Sequence, residues 1–124
     1  MTIGDIEMKV REFVKDTHEG AYRYAPWLIV GAIFDGLRVL RMIRPETRYD
    51  GIRVVRQDWP YITMASNEAD IDAAREMPWP VDPRWEQAVR YFAAARCFET
   101  DAADTVNAAR AAECQKTFTA LAAT

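Results

Sequence analysis

Ile3, Ile6, Val10, Phe13 and Val14 recur at helical spacing behind a Thr2–Asp5 pair placed as a capping box. They predict a first helix over about residues 3–15. "THEGAYRYAP" breaks the pattern, with Gly20 and Pro26 as punctuation. The most apolar stretch, "WLIVGAIFDGLRVLRMI", predicts a second helix over about residues 26–43, opened by Pro26 and stopped before Pro45. Its wheel has two apolar sides. Leu28, Ile29, Ala32, Ile33, Gly36, Val39, Leu40 and Ile43 make one continuous arc for the core. Trp27, Val30, Phe34 and Leu37 share the other side with Arg38, Arg41 and Arg44. A helix of this kind is either deeply buried or shared with a neighbouring subunit.

Residues 46–82 lack a sustained period. "GIRVVRQDWPYITMA" reads as extended, and Pro60 confines any strand there to an edge or a hairpin. "SNEADIDAAREM" reads as a loop or a short helical turn, and the prolines of "PWPVDP" keep it extended. Asp82 can then cap a third helix that begins at Pro83 and carries Trp85, Ala88, Val89, Phe92, Ala95 and Phe98 on one face. "ETDAAD" supplies a break and a new acidic start. The Ala-rich helix that follows runs to about Leu121, and its thin apolar stripe predicts a half-solvated outer position. The pattern as a whole predicts one all-α domain over the full chain, a four-helix core with a short irregular or β arm at about residues 46–82.

At 124 residues the chain has the length of one domain. Half of it is apolar and 28% is charged, the balance of a soluble globular chain. "MTIGDIEMKV" places charges where a signal peptide needs an apolar run. "APWLIVGAIF" is about half the roughly twenty residues of a membrane span. Synthesis in the cytoplasm as a soluble protein is the expectation. Cys97 and Cys114 fall on two helices joined by a turn close to Cys97. The offset along the helix axis is on the order of 15 Å, beyond disulfide reach. Both are expected as free thiols.

Each catalytic constellation finds weak grounds. The glycines are scattered and make no phosphate-binding loop. Ser66, the single serine, has no nearby histidine, and the single histidine, His18, has no ligand-spaced cysteine. A thiolate pair of His18 with Cys97 or Cys114 competes with the ordinary buried helical thiol. The carboxylates of "EADID" and "ETDAAD" fit helix starts better than a cation site. The chain therefore reads as non-enzymatic, with no cofactor and no metal.

The charge distribution is more informative. The net charge is -3, yet Arg38, Arg41, Arg44, Arg48, Arg53 and Arg56 lie in one segment with only Glu46 and Asp50 against them. Six minus two leaves +4 there and therefore -7 elsewhere. Arginines with Tyr49, Trp59 and Tyr61 among them suit a protein interface or a nucleic-acid surface. An Asp35–Arg38 pair within a solvated stripe is the plainer reading. The acidity of the whole disfavours a free DNA binder. Trp59 beside Pro60, and Trp79 between Pro78 and Pro80, either cap the chain's own core or dock into a neighbour. The candidate interface is thus Arg38, Arg41, Arg44, Arg48, Arg53, Arg56, Trp59, Tyr61 and Trp79.

A helix ending in "VKDT", the loop "YRYAPWL", the helix "GAIFDGLRVLRMIRPETRYDG", an extended insertion and then "MPWPVDPRWEQAVRYFAAARCFETDAADTVNAARAAECQKTFTALAA" follow one another. This order resembles the head–tail adaptor (connector) proteins of tailed bacteriophages. Asn107, Ala108, Arg110 and Ala111 sit in their last-helix pattern. The likeness covers about residues 3–50 and 78–122, and the middle is short beside the β insertion of some relatives. It implies a structural protein of the virion at the head–tail junction. Copies would form a ring, usually a dodecamer, below the portal protein, extend the channel through which genomic DNA passes and meet a stopper or tail protein. The second apolar side of the second helix would then pack on a ring neighbour, and the arginines would be interface charge or channel lining. On that reading, charge reversal at Arg38 or Arg41 leaves the chain folded but blocks assembly, and Trp59→Ala impairs docking more than folding. The alternative is a small nucleic-acid-binding regulator using Arg38–Arg56.

Overall fold

In the computed structural model, residues 1–16, 22–50, 53–54, 59–101 and 105–123 are described, with backbone alone at 49–50 and 53–54. Among them the chain is mostly helical, with five α-helices: α1 (Ile3–Val14), α2 (Pro26–Ile43), α3 (Glu68–Glu76), α4 (Glu86–Thr100) and α5 (Thr105–Ala122). No helix among the described residues is long and apolar enough to cross a membrane.

α1 starts as its sequence predicts. The Asp5 N–H donates to Thr2 Oγ1 (3.2 Å) and the Thr2 N–H donates to the Asp5 carboxylate (2.8 Å). The backbone N–H of Thr2 holds the Asp5 carboxyl below its usual range. The helix ends at Lys15, which takes a left-handed conformation with φ 59°. This lets the Asp16 N–H reach back to the Arg11 carbonyl (2.8 Å). The N-terminus also clamps the proline-stiffened lead-in to α4: Ile3 N–H donates to the Met77 carbonyl and Trp79 N–H to the Met1 carbonyl, each at 2.9 Å.

α2 runs through the centre, and both of its apolar sides are filled from within the chain. Gly36 on the first side lies against the Val89 and Phe92 side chains of α4. Val30, Phe34 and Leu37 on the second are fully or almost fully buried. The cover comes from Trp59 and Ile62, both in the main core cluster, in a segment that crosses α2 at Gly31. That side is therefore not left for a ring neighbour, as the resemblance implied. At the C-terminal end of α2 the arc does emerge, with Met42 77% and Ile43 46% exposed.

The excursion after α2 differs most from its expectation. A 3-10 turn (Pro45–Arg48) leads into β1 (Tyr49–Asp50), which pairs antiparallel with β2 (Arg53–Val54), Tyr49 opposite Val54. From Trp59 onward the chain packs on the core instead of projecting, burying Trp59, Ile62, Ile71, Ala74 and Val81. The stretch expected as loop or single turn is the nine-residue α3. The Asn67 side chain accepts the Asp70 N–H (2.8 Å), and Glu68 and Asp70 occupy the first turn, so caps and dipole stabilise a helix with only Ile71 and Ala74 buried.

Asp82 caps through the Arg84 N–H (2.9 Å), and a 3-10 turn at Pro83–Trp85 enters α4. α4 and α5 form an antiparallel hairpin. Ala94, Ala95, Phe98, Ala111 and Cys114 make a small second cluster between them, while Phe92 and Phe118 meet edge to face at 5.2 Å. α5 is half solvated along its outer face, as its thin stripe predicts.

Gly31 gives a test of this packing. A Cβ there would sit 2.5 Å from the backbone carbonyl oxygen of Ile62, which cannot rotate away. Gly31→Ala is expected to lower the unfolding free energy by about 1–3 kcal/mol despite alanine's better helix propensity. The check is urea unfolding; a raised midpoint would mean that the 59–62 segment does not lie on α2.

Candidate interface at the end of α2

The structure gathers Arg38, Arg41, Trp59 and Tyr61 into one cluster and sends Arg44 and Trp79 elsewhere. Arg38 is the clearest case. One guanidinium nitrogen donates to Asp35 (3.1 Å), and another donates to the carbonyls of Trp59 and Pro60, each at 2.8 Å. Its guanidinium carbon lies 3.8 Å from the centre of the Tyr61 ring. With a side chain only 14% exposed, Arg38 is a fastener between α2 and the returning segment. The Asp35–Arg38 pair expected from the spacing is present, and Asp35 also lies 3.6 Å from Arg96 on α4.

Arg41 sits half-buried with its guanidinium 5.1 Å from the Trp59 ring. Trp59 itself is 4% exposed and belongs to the core; its indole N–H is buried with no acceptor among the described residues. Replacing it with alanine removes core volume first, so the expected separation of docking from folding does not hold for this residue. Tyr61 is the exposed member, at 76%.

Arg44 turns to the opposite end of the chain. Its Nε donates to the carbonyl of Ala122 (2.5 Å), which puts a cation on the C-terminal end of α5. It also lies 3.6 Å from Glu46 and 5.7 Å from the Trp85 ring. Trp79 is half-buried, and its indole donates to the Asp82 carbonyl (3.4 Å). Arg48 is exposed on the 3-10 turn. Arg53 lies on β2 and its side chain is not described; Arg56 lies outside the described residues.

Sequence reasoning missed three features. Exposed apolar side chains stand at Met42 and Ile43 at the end of α2 and at Met64 beyond Tyr61. A cleft of about 640 Å³ opens between the end of α1 and the α4–α5 hairpin, with Phe13, Tyr91 and Phe98 among its lining residues. A buried charge network joins α1, α3 and the loop before α2. There, Arg11 donates to Glu7 (3.2 Å), to Asp16 (2.9 Å) and to the Tyr24 carbonyl (3.0 Å), and Arg75 reaches Glu7 at 2.6 Å. Its signal was Glu7, which borders the apolar arc of the first helix beside Ile3 and Val14.

The cysteines are free and buried. Burial pushes the Cys97 thiol up to about 12 and raises that of Cys114, so both are protonated at neutral pH. His18 lies outside the described residues. Among those described, no group of three or more potential ligands could hold a metal ion.

Arg38→Glu would set a carboxylate against two carbonyls and Asp35. It is expected to cost about 2–4 kcal/mol of stability, where Arg48→Glu on the exposed turn changes it by less than about 0.5 kcal/mol. This replaces the expectation that reversal at Arg38 leaves the fold intact. Urea unfolding of both variants decides it, and equal effects would show that Arg38 does not fasten the segment. A scan against protein-family models, a search of curated proteins and a search of solved structures each return no match.

Proposed function

We propose that this protein is a structural component of a tailed-phage virion, a head–tail adaptor. Its copies form a ring, a dodecamer below the portal protein, that extends the DNA channel and joins capsid to tail. The order of helices and the quoted motifs support the reading. The observation that carries it is a set of exposed apolar side chains: Met42, 77% exposed at the end of α2, and Tyr61 and Met64, each 76% exposed on the segment that Arg38 holds against α2. Apolar side chains held rigidly in solvent are what a docking surface requires.

On this reading the four-helix frame is α1, α2, α4 and α5, with α3 as an addition. The arm is the stretch from Arg48 through the β1–β2 ladder, and it reaches a ring neighbour, the portal protein or the stopper. Arg48, exposed on the 3-10 turn, is the described arginine at hand for such contacts or for the channel wall. The engagement of Arg38 and Arg44 within the chain lowers support for a free nucleic-acid-binding regulator.

The test is quantitative mass spectrometry of purified, nuclease-treated particles, counting copies of this chain against portal subunits. The expected ratio is close to unity. Absence from particles alongside abundance in infected cells would overturn the proposal.

A further inference from the structure

Two surfaces of this chain complement each other and share no residue. The first is a knob. A turn at Thr63–Ser66 is closed by three hydrogen bonds: Ser66 N–H to the Thr63 carbonyl (2.9 Å), Thr63 N–H to Ser66 Oγ (2.9 Å) and Ala65 N–H to Thr63 Oγ1 (3.2 Å). Met64 stands on this turn, 76% exposed. The turn fixes the backbone, so the thioether is presented to solvent and not folded back. α3 follows at once, with exposed Glu68 and Asp70 in its first turn.

The second surface is the cleft of about 640 Å³ beside the end of α1. Phe13, 46% exposed, and Tyr91 meet edge to face there at 5.2 Å, with Phe98 also lining it. Lys15, Arg23 and Arg110 line it together with Glu113; Arg23 is paired with Asp101 (2.8 Å), so Lys15 and Arg110 are the cations that face the opening. An aromatic cleft with a cationic rim matches an apolar knob flanked by carboxylates.

We propose that the Met64 turn of one copy of this chain enters the aromatic cleft of the next. The sulfur gains contacts with ring edges, and Glu68 and Asp70 approach Lys15 and Arg110. Because knob and cleft are different patches, the contact is head to tail. Each added copy leaves one free knob and one free cleft, so association closes into a ring or continues as a filament. A single knob makes a contact below the standard interface size, with a dissociation constant of about 0.1–1 mM for two isolated copies. The inference rests on the reading of the chain as a ring-forming component and names the surfaces that join its copies.

The test is sedimentation of the full chain at concentrations up to about 1 mM. The variants are a knob variant, Met64→Asp, and a cleft variant, Lys15→Glu with Arg110→Glu, each first shown to be folded by circular dichroism. Wild type is expected to grow beyond dimers with concentration, and each variant alone to lose at least about tenfold in affinity. An equimolar mixture retains one intact knob and one intact cleft, so it is expected to stop at a one-to-one heterodimer. Should the cleft variant unfold, Glu68→Lys with Asp70→Lys on the exposed face of α3 carries the same expectation as the knob variant. Wild type that stays monomeric throughout, variants that assemble as wild type does, or a mixture that shows no heterodimer would each overturn the interface. Undisturbed assembly of the variants with a near-unity copy ratio in particles would overturn this interface and leave the ring standing.

Discussion

Arg11 is fully buried, and the arrangement of the first half of the chain depends on how its charge is answered. Glu7, four residues back on α1, and Asp16, just beyond the helix, both lie against it, and the Tyr22 ring covers it at 3.7 Å. Asp16 in turn accepts the backbone N–H groups of Arg23 (2.8 Å) and Tyr24 (3.0 Å), which fixes the chain as it enters α2. Glu7 binds Arg75 of α3 on its other side. Two arginines and two carboxylates thus hold three separate pieces of chain in one register. An apolar core of equal volume could be as stable, but it would not specify which carbonyl and which helix meet α1. Lys15 in the left-handed region, an arrangement costing about 1 kcal/mol for a residue with a Cβ, is what turns Asp16 back toward Arg11.

The same principle accounts for much of the basic segment. Arginine has five donors in a rigid fork, and this chain uses the fork to bind backbone carbonyls that no secondary structure satisfies. Arg38 takes the carbonyls of Trp59 and Pro60, in a segment interrupted by a proline, and Arg44 takes the last turn of α5. Two of the arginines gathered at the end of α2 are thus engaged within the chain, Arg38 where irregular chain returns to the core and Arg44 at the end of a helix. Charge that reads as a surface patch in sequence is in part internal structure.

The helices with strong periodicity, α1, α2 and α4, were legible in sequence, as were the Thr2–Asp5 and Asp82 caps. α3 was obscured because it buries only Ile71 and Ala74 and is set by its caps and by the bond of its Arg75 to Glu7, far away in sequence. The second side of α2 looked like a face for another subunit because sequence does not show that Trp59 and Ile62 return to cover it. Gly31 was the local clue, a small residue where backbone crosses backbone. The buried network was half legible. Glu7 at the edge of an apolar arc hints at a buried charge, but neither Asp16 nor Arg75 can be assigned to it without the fold. Of the candidate interface residues, Tyr61 and Arg48 stand exposed, whereas Trp59 and Arg38 are engaged within the chain. Met42 and Met64 are exposed beside them without having been singled out.

Among the described residues the core is closed from within the chain, and Met42, Ile43, Tyr61 and Met64 are held outward at the end of α2 and on the segment that returns to it. On the proposed assembly role, such a unit offers prearranged contacts to its neighbours. That account requires the unit to be fixed by its internal arginines before any partner is met. The most direct measurement is the stability of the isolated Arg11→Met variant by urea unfolding. Removing one member of a buried ionic cluster is expected to cost about 3–5 kcal/mol, because Asp16 is left in the interior without its cation. A loss below about 1 kcal/mol would contradict the account, and would mean that the register of α1, α3 and the loop is set by apolar packing alone.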